Sequence, residues 1–102
     1  MKKIQIYQLN DSLEARDYHY VSLNFLKKYN MPIKLENYDL VYEYFDDNIN
    51  EDINAALEDI FIKFQGEKPI GYTGVSVSVS DIIAIDGVKY YVESIGFEKL
   101  SI

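Results

Sequence analysis

The sequence has no cysteine, no tryptophan, a single histidine and only two prolines in 102 residues. Without cysteine there is no disulfide, no thiol nucleophile and no zinc–thiolate centre. His19, in Tyr18-His19-Tyr20, has no second histidine or cysteine with which to share a transition metal, so it reads as a packed or surface residue. No run of ~18 apolar residues is present, which excludes a membrane-spanning helix. The opening stretch MKKIQIYQLNDS lacks the long apolar core and small-residue cleavage site of a secretion signal. It reads as a first strand, and a cytoplasmic protein is expected.

Basic residues are missing from one place in particular. From Leu35 to Ile62 there is no Lys or Arg, while Glu36, Asp39, Glu43, Asp46, Asp47, Glu51, Asp52, Glu58 and Asp59 lie within it. The rest of the chain carries ten basic and eight acidic residues, so this segment accounts for all of the net charge of −7. A direct nucleic-acid partner is disfavoured, because phosphate binding needs clustered Lys and Arg. Two readings of the segment stand side by side: a solvated face that aids solubility, or a docking surface for a protein with a basic surface.

Other candidate chemistry fails on spacing. Asp46, Asp47, Asn48, Asn50 and Asp52 imitate a calcium loop, but the central glycine and the closing glutamate are missing; residue 57 is Leu. Gly66, Gly71 and Gly74 are too far apart for a phosphate loop, and no Gly-Lys-Ser/Thr follows. Ser76, Ser78 and Ser80 lack the glycine elbow of a serine nucleophile; Ser80 and Asp81 are better read as bonding nearby backbone N–H groups and setting a turn. No pair of carboxylates has identifiable acid–base geometry. No catalytic residue, metal or cofactor is therefore assigned, and a non-enzymatic protein is expected.

What is abundant is periodicity. Lys2 to Leu9 alternates as a strand, with Ile4, Ile6 and Gln8 on one face. Ser22 is placed to cap a helix from Leu23 to Tyr29 that Asn30 and Pro32 end. Tyr38 to Phe45 alternates again, with Tyr38, Leu40, Tyr42 and Tyr44 expected on the buried face and Asp39, Val41, Glu43 and Phe45 on the wet one. Asn50 is a fair N-cap for a helix built on Ile53, Ala56, Leu57, Ile60, Phe61 and Phe64. Val75 to Ser80 reads either as an exposed strand or as an extended approach to the next one. Ile82 to Ile85 is apolar on both faces, Asp86-Gly87 predicts a type I′ hairpin, and Val88 to Ile95 returns as its partner. Gly96-Phe97 opens a tail that can add an edge strand. The pattern predicts a single α+β domain over residues 1–102: a largely antiparallel sheet of about four to five strands with two helices packed on it. Ten tyrosines are unusual for this length. Most fall on strands, whereas Tyr72, in the glycine loop, is the best candidate for an exposed aromatic at an interface.

Two spaced blocks resemble the signature of YodL-like domains. The first is Gly74-Val75-Ser76-Val77-Ser78-Val79-Ser80-Asp81-Ile82-Ile83, and the second is Tyr90-Tyr91-Val92-Glu93-Ser94-Ile95-Gly96-Phe97. Asn37-Tyr38-Asp39-Leu40-Val41-Tyr42 and Leu57-Glu58-Asp59-Ile60-Phe61 are similar to two further blocks upstream, and Arg16-Asp17 and Ser22-Leu23 fit the N-terminal part. Val75 stands where the family usually has a polar or aromatic residue, and Asp86-Gly87-Val88-Lys89 makes a tighter hairpin than many members. The resemblance implies an accessory protein of plasmids, conjugative elements and phages of Gram-positive bacteria. It carries over no catalytic residue. It implies a protein-binding role, with an anti-defence inhibitor of a nucleic-acid enzyme, such as a CRISPR or restriction nuclease, as the sharper case. The alternative is a scaffold domain that forms a homodimer through a sheet edge.

Overall fold

The strand that opens the chain lies in the interior of the sheet. In a computed structural model describing all 102 residues, β1 (Lys2–Leu9) is flanked by β2 (Tyr38–Asp46) and β3 (Ile82–Ile85). β4 (Val88–Val92) and β5 (Phe97–Lys99) complete an antiparallel sheet in the order β2-β1-β3-β4-β5. The protein is thus α+β, as the alternation predicts. No helix is long and apolar enough to cross a membrane.

Alternation along β1 and β3 divides the interior in two. Ile4, Ile6, Ile83 and Ile85 point to one face and pack with Ala56, Leu57, Ile60 and Phe64 of the segment around α3 (Ile53–Lys63). Leu9, Ile82 and Tyr91 point to the other and pack with Ala15 of α1 (Leu13–Arg16) and Leu23 and Leu26 of α2 (Leu23–Lys28). Helices therefore cover both faces, which explains why Ile82 to Ile85 is apolar throughout. The four-residue α1 goes beyond the two helices expected. Its local signal is Ser12, whose Oγ accepts the Ala15 N–H at 3.2 Å.

Ser22 caps α2 as its sequence predicts, accepting the Phe25 N–H at 3.3 Å, and Asn30 ends the turn at φ +52°. The cap of α3 differs from expectation. Asp52, not Asn50, accepts the N–H groups of Asn54 and Ala55, while Asn50 accepts the Asp52 N–H at 2.9 Å and so shapes the preceding turn. Two short acceptors in series leave the N-cap to the second.

β2 departs furthest from strict alternation. The pairing with β1 slips between Ile6 and Tyr7, so that Tyr42 opposes Ile6 but Leu40 opposes Tyr7, and Val41 is the extra residue. A bulge turns two successive side chains to one side and inverts the alternation beyond it. Val41 is accordingly buried with Tyr42 and Tyr44 toward α3, Leu40 is exposed, and Tyr38 packs on the α1/α2 side. Asp39 and Glu43, expected on one face, pair with Gln8 and Gln5 and so lie on opposite faces.

The Asp86-Gly87 hairpin has φ +50° and +84°, positive at both central positions as a type I′ turn requires. A β-carbon on Gly87 meets no atom within 4 Å, so only backbone strain opposes one. Gly87→Val should lower stability by about 1–2 kcal/mol, read from the urea midpoint at unchanged slope. An unchanged midpoint would contradict the turn.

Candidate functional site

The family-like stretch from Gly74 to Asp81 forms no strand; it is the extended approach to β3, wrapped across the end of the sheet. Gln8 holds it. This residue sits on the α3 face of β1 where an apolar side chain is the norm, and it is 8% exposed. An unbonded amide there would cost a few kcal/mol, and the chain supplies every partner. Gln8 Nε2 donates to the Val75 carbonyl at 2.9 Å and to Asp81 Oδ2 at 3.0 Å, and Gln8 Oε1 accepts the Val75 N–H at 3.0 Å. The side chain thus supplies both halves of a backbone rung. Gly74 is what permits the approach: a β-carbon there would lie 2.1 Å from Gln8 Oε1 and 3.1 Å from the Val41 β-carbon.

The serines serve the same wrapping. Ser80 takes φ +82°, accepts the Tyr20 N–H on its hydroxyl at 3.0 Å, and accepts the Tyr38 hydroxyl on its carbonyl at 2.7 Å. Its hydroxyl therefore reaches a residue remote in sequence rather than a neighbour. Asp81 does act locally, with Oδ2 accepting the Ser78 N–H at 2.9 Å. Ser76 Oγ accepts from Lys68 Nζ and donates to the Gln65 carbonyl. Burial pushes the Asp81 carboxyl up to about 7, opposed by the bonds from Ser78 and Gln8.

Beside this segment an open cleft of about 360 Å³ is lined by Gln8, Asn10, Asp11, His19, Asp39 and Gly74. His19 Nε2 is 3.3 Å from the Asn10 carbonyl oxygen. No three His, Asp or Glu side chains gather closely enough to hold a metal ion.

A YodL-like domain model matches residues 3–102. The chain belongs to that family. No curated protein and no solved structure matches it. In this YodL-like domain the two motif blocks meet in space. Ser80 N–H donates to the Val92 carbonyl at 3.0 Å, and Val92 N–H donates to the Asp81 carbonyl at 2.9 Å. The motif thus describes how the wrapping segment is fastened.

Tyr72 is not the exposed aromatic its loop implied. It is half-buried, stacked on Phe64 with ring centroids 5.3 Å apart and tilted against Tyr42 at 5.7 Å, and its hydroxyl donates to the Val75 carbonyl at 2.7 Å. The loop folds back on α3 because the Tyr72 ring finds an aromatic pocket there, whereas Ile70 of the same loop stays exposed. Ring burial pushes the Tyr72 hydroxyl up to about 12.

The acidic residues are dispersed rather than gathered. Asp39 borders the cleft, Asp46 and Asp59 border a hollow between β2 and α3, and Glu58 lies on the other flank of α3 beside Phe97. Glu36 and Glu51 are exposed. Asp46 accepts the Asn48 N–H in a turn, Asp52 caps α3, Glu43 pairs with Lys3 at 3.5 Å, and Asp47 with the chain's amino terminus at 3.5 Å.

Gly74→Ala should cost about 2–3 kcal/mol in urea melts, and part of that cost should vanish when Gln8 is also truncated to Ala, a coupling read from the double-mutant cycle. Asp81 is raised on folding from 3.8 to about 7. The folded protein then holds a proton that the unfolded chain releases between those values. Its contribution is full below about pH 4, declines as pH rises toward 7 and is constant above. Relative to Asp81→Asn, the wild type should therefore lose stability across that window, by at most ~1.4 kcal/mol per pH unit. A flat difference would show a carboxylate ionised throughout.

Proposed function

We propose that this YodL-like domain is a non-enzymatic protein-binding module that occupies a basic surface on its partner. The observation that carries this is the uncompensated charge of residues 35–62. Of nine carboxylates only Glu43 and Asp47 form an ion pair, whereas the remaining ion pairs, Lys2–Asp86, Lys27–Glu98 and Lys34–Glu14, all lie outside the segment. Charges left unpaired on a folded surface repel one another and steer an oppositely charged partner. Because the acids lie along β2 and on both flanks of α3, the surface they suit is extended. A groove that ordinarily takes a phosphate backbone has that form. This supports the sharper version, an inhibitor of a nucleic-acid enzyme; the cytoplasmic, mobile-element setting is carried by the family resemblance alone. The catalytic alternative lacks support, since the side chains of Ser76, Ser80 and the buried Asp81 are engaged in fastening the wrapping segment.

The test replaces Glu36, Asp39, Glu51, Glu58 and Asp59 by their amides, because these form no ion pair and cap no helix. The variant should melt at or slightly above the wild-type temperature. Wild-type protein immobilised and exposed to a host lysate should retain a basic protein that elutes as salt is raised from about 0.1 to 0.5 M, and the variant should bind it at least about tenfold more weakly. Equal affinity of the two would reduce the segment to a solvated face.

A further inference from the structure

Both ends of the sheet present an edge strand, and they are unlike. β5 is three residues long, short enough to offer little to a passing strand. β2 is nine residues long, and its outer side is open in one stretch. Lys3 spends its N–H on Asp86 Oδ1 and its carbonyl on the Asp86 N–H, both on the β3 side. The Lys3–Phe45 pair is therefore one without backbone bonds, and by antiparallel alternation so is Gln5–Glu43. Glu43 and Phe45 consequently turn their N–H and carbonyl groups away from β1, outward from the sheet.

The next outward position, Val41, is already taken. Its carbonyl accepts the Thr73 N–H at 3.0 Å and the Thr73 hydroxyl at 3.3 Å. The chain's own loop thus covers the edge at the bulge and stops short of Glu43. Beyond that point Phe45 is 59% exposed on the same face as Glu43, and Asp46 and Asp47 follow.

We propose that the Glu43–Phe45 edge of β2 receives an extended, basic segment of the partner by strand addition, continuing the rung that Thr73 begins. Backbone bonds supply attachment, and alternate side chains supply selectivity: a cation near Asp46, which has no ion pair, and on the opposite face of the strand an apolar residue against Phe45. A second copy is disfavoured, because its β2 carries no Lys or Arg and so brings acids but no cation to the edge. This inference rests on the protein-binding reading above and adds the place and the mode.

The probe is the capped peptide Lys-Val-Lys-Val-Lys-Val, added to the isotope-labelled full chain. The amides of Glu43 and Phe45 should exchange with solvent at least about tenfold more slowly. A peptide of the same charge N-methylated at alternate residues should bind at least about tenfold more weakly, and a Glu-Val counterpart should not bind. Phe45→Pro removes an outward N–H that has no partner in the chain, and should melt near the wild type while losing the peptide; if it fails to fold, the N-methylated peptide on the wild type carries the comparison alone. Equal binding of both basic peptides would overturn strand addition while leaving the acidic contact standing. Binding by neither would overturn the β2 edge as the docking place, while the protein-binding reading is decided separately by how the amide variant holds the basic protein. Concentration-dependent protection of Glu43 and Phe45 without peptide would assign the edge to a second copy instead.

Discussion

Gln8 is the point on which the second half of the chain hangs. Its amide occupies a position on β1 that the pattern reserves for an apolar side chain, and it is tolerated only because Val75 and Asp81 meet all of its polar atoms. Without that clasp the run from Gly74 to Ser80, rich in serine and short of large apolar groups, has little to bury beyond Val77. Fastened to Gln8, Tyr38, Tyr20 and Val92, it closes the sheet's end and delivers Ile82 to its place beside Tyr7. A buried polar network of this kind specifies one arrangement, since every alternative strands a donor or an acceptor.

The same economy explains why the most motif-like stretch of the sequence is not a reactive site. Glycine, serine and aspartate are residues of phosphate loops and nucleophile elbows, but they are equally the residues that let a backbone approach closely and bond sideways. Here Gly74 yields space to Gln8, Ser80 takes a left-handed φ, and Asp81 ties the turn. Signatures dominated by such residues record geometry as readily as chemistry.

The bulge at Val41 has consequences for both packing and surface. By inverting the alternation it sends Tyr42 and Tyr44 toward α3 and Tyr38 toward α2, so a single strand serves two interiors. It also separates Asp39 from Glu43, spreading the acidic residues around the β2 end of the molecule. An edge strand that bulges, carries acids and is capped at one carbonyl by Thr73 is guarded against indiscriminate pairing over most of its length. What remains open is short and chemically marked.

By itself the sequence determined the elements with strong local cause: the alternation of β1, the Ser22 cap and Asn30 stop of α2, the apolar stripe of α3, and the positive φ values of Asp86 and Gly87. Each depends on residues within a turn or two, where periodicity and side-chain capping decide. The charge map, too, was legible, because an absence of Lys and Arg needs no structure to be seen. The tertiary structure decided the rest. The bulge arises from how β2 meets β1: the apolar run Leu40-Val41-Tyr42 permits a change of face there, but the strand's own sequence does not say where it falls. Tyr72 is covered because Phe64 and Tyr42, remote in the chain, form a pocket for it. Gln8 acquires its meaning only from partners 67 and 73 residues away. These are non-local contacts, and local patterning carries no term for them.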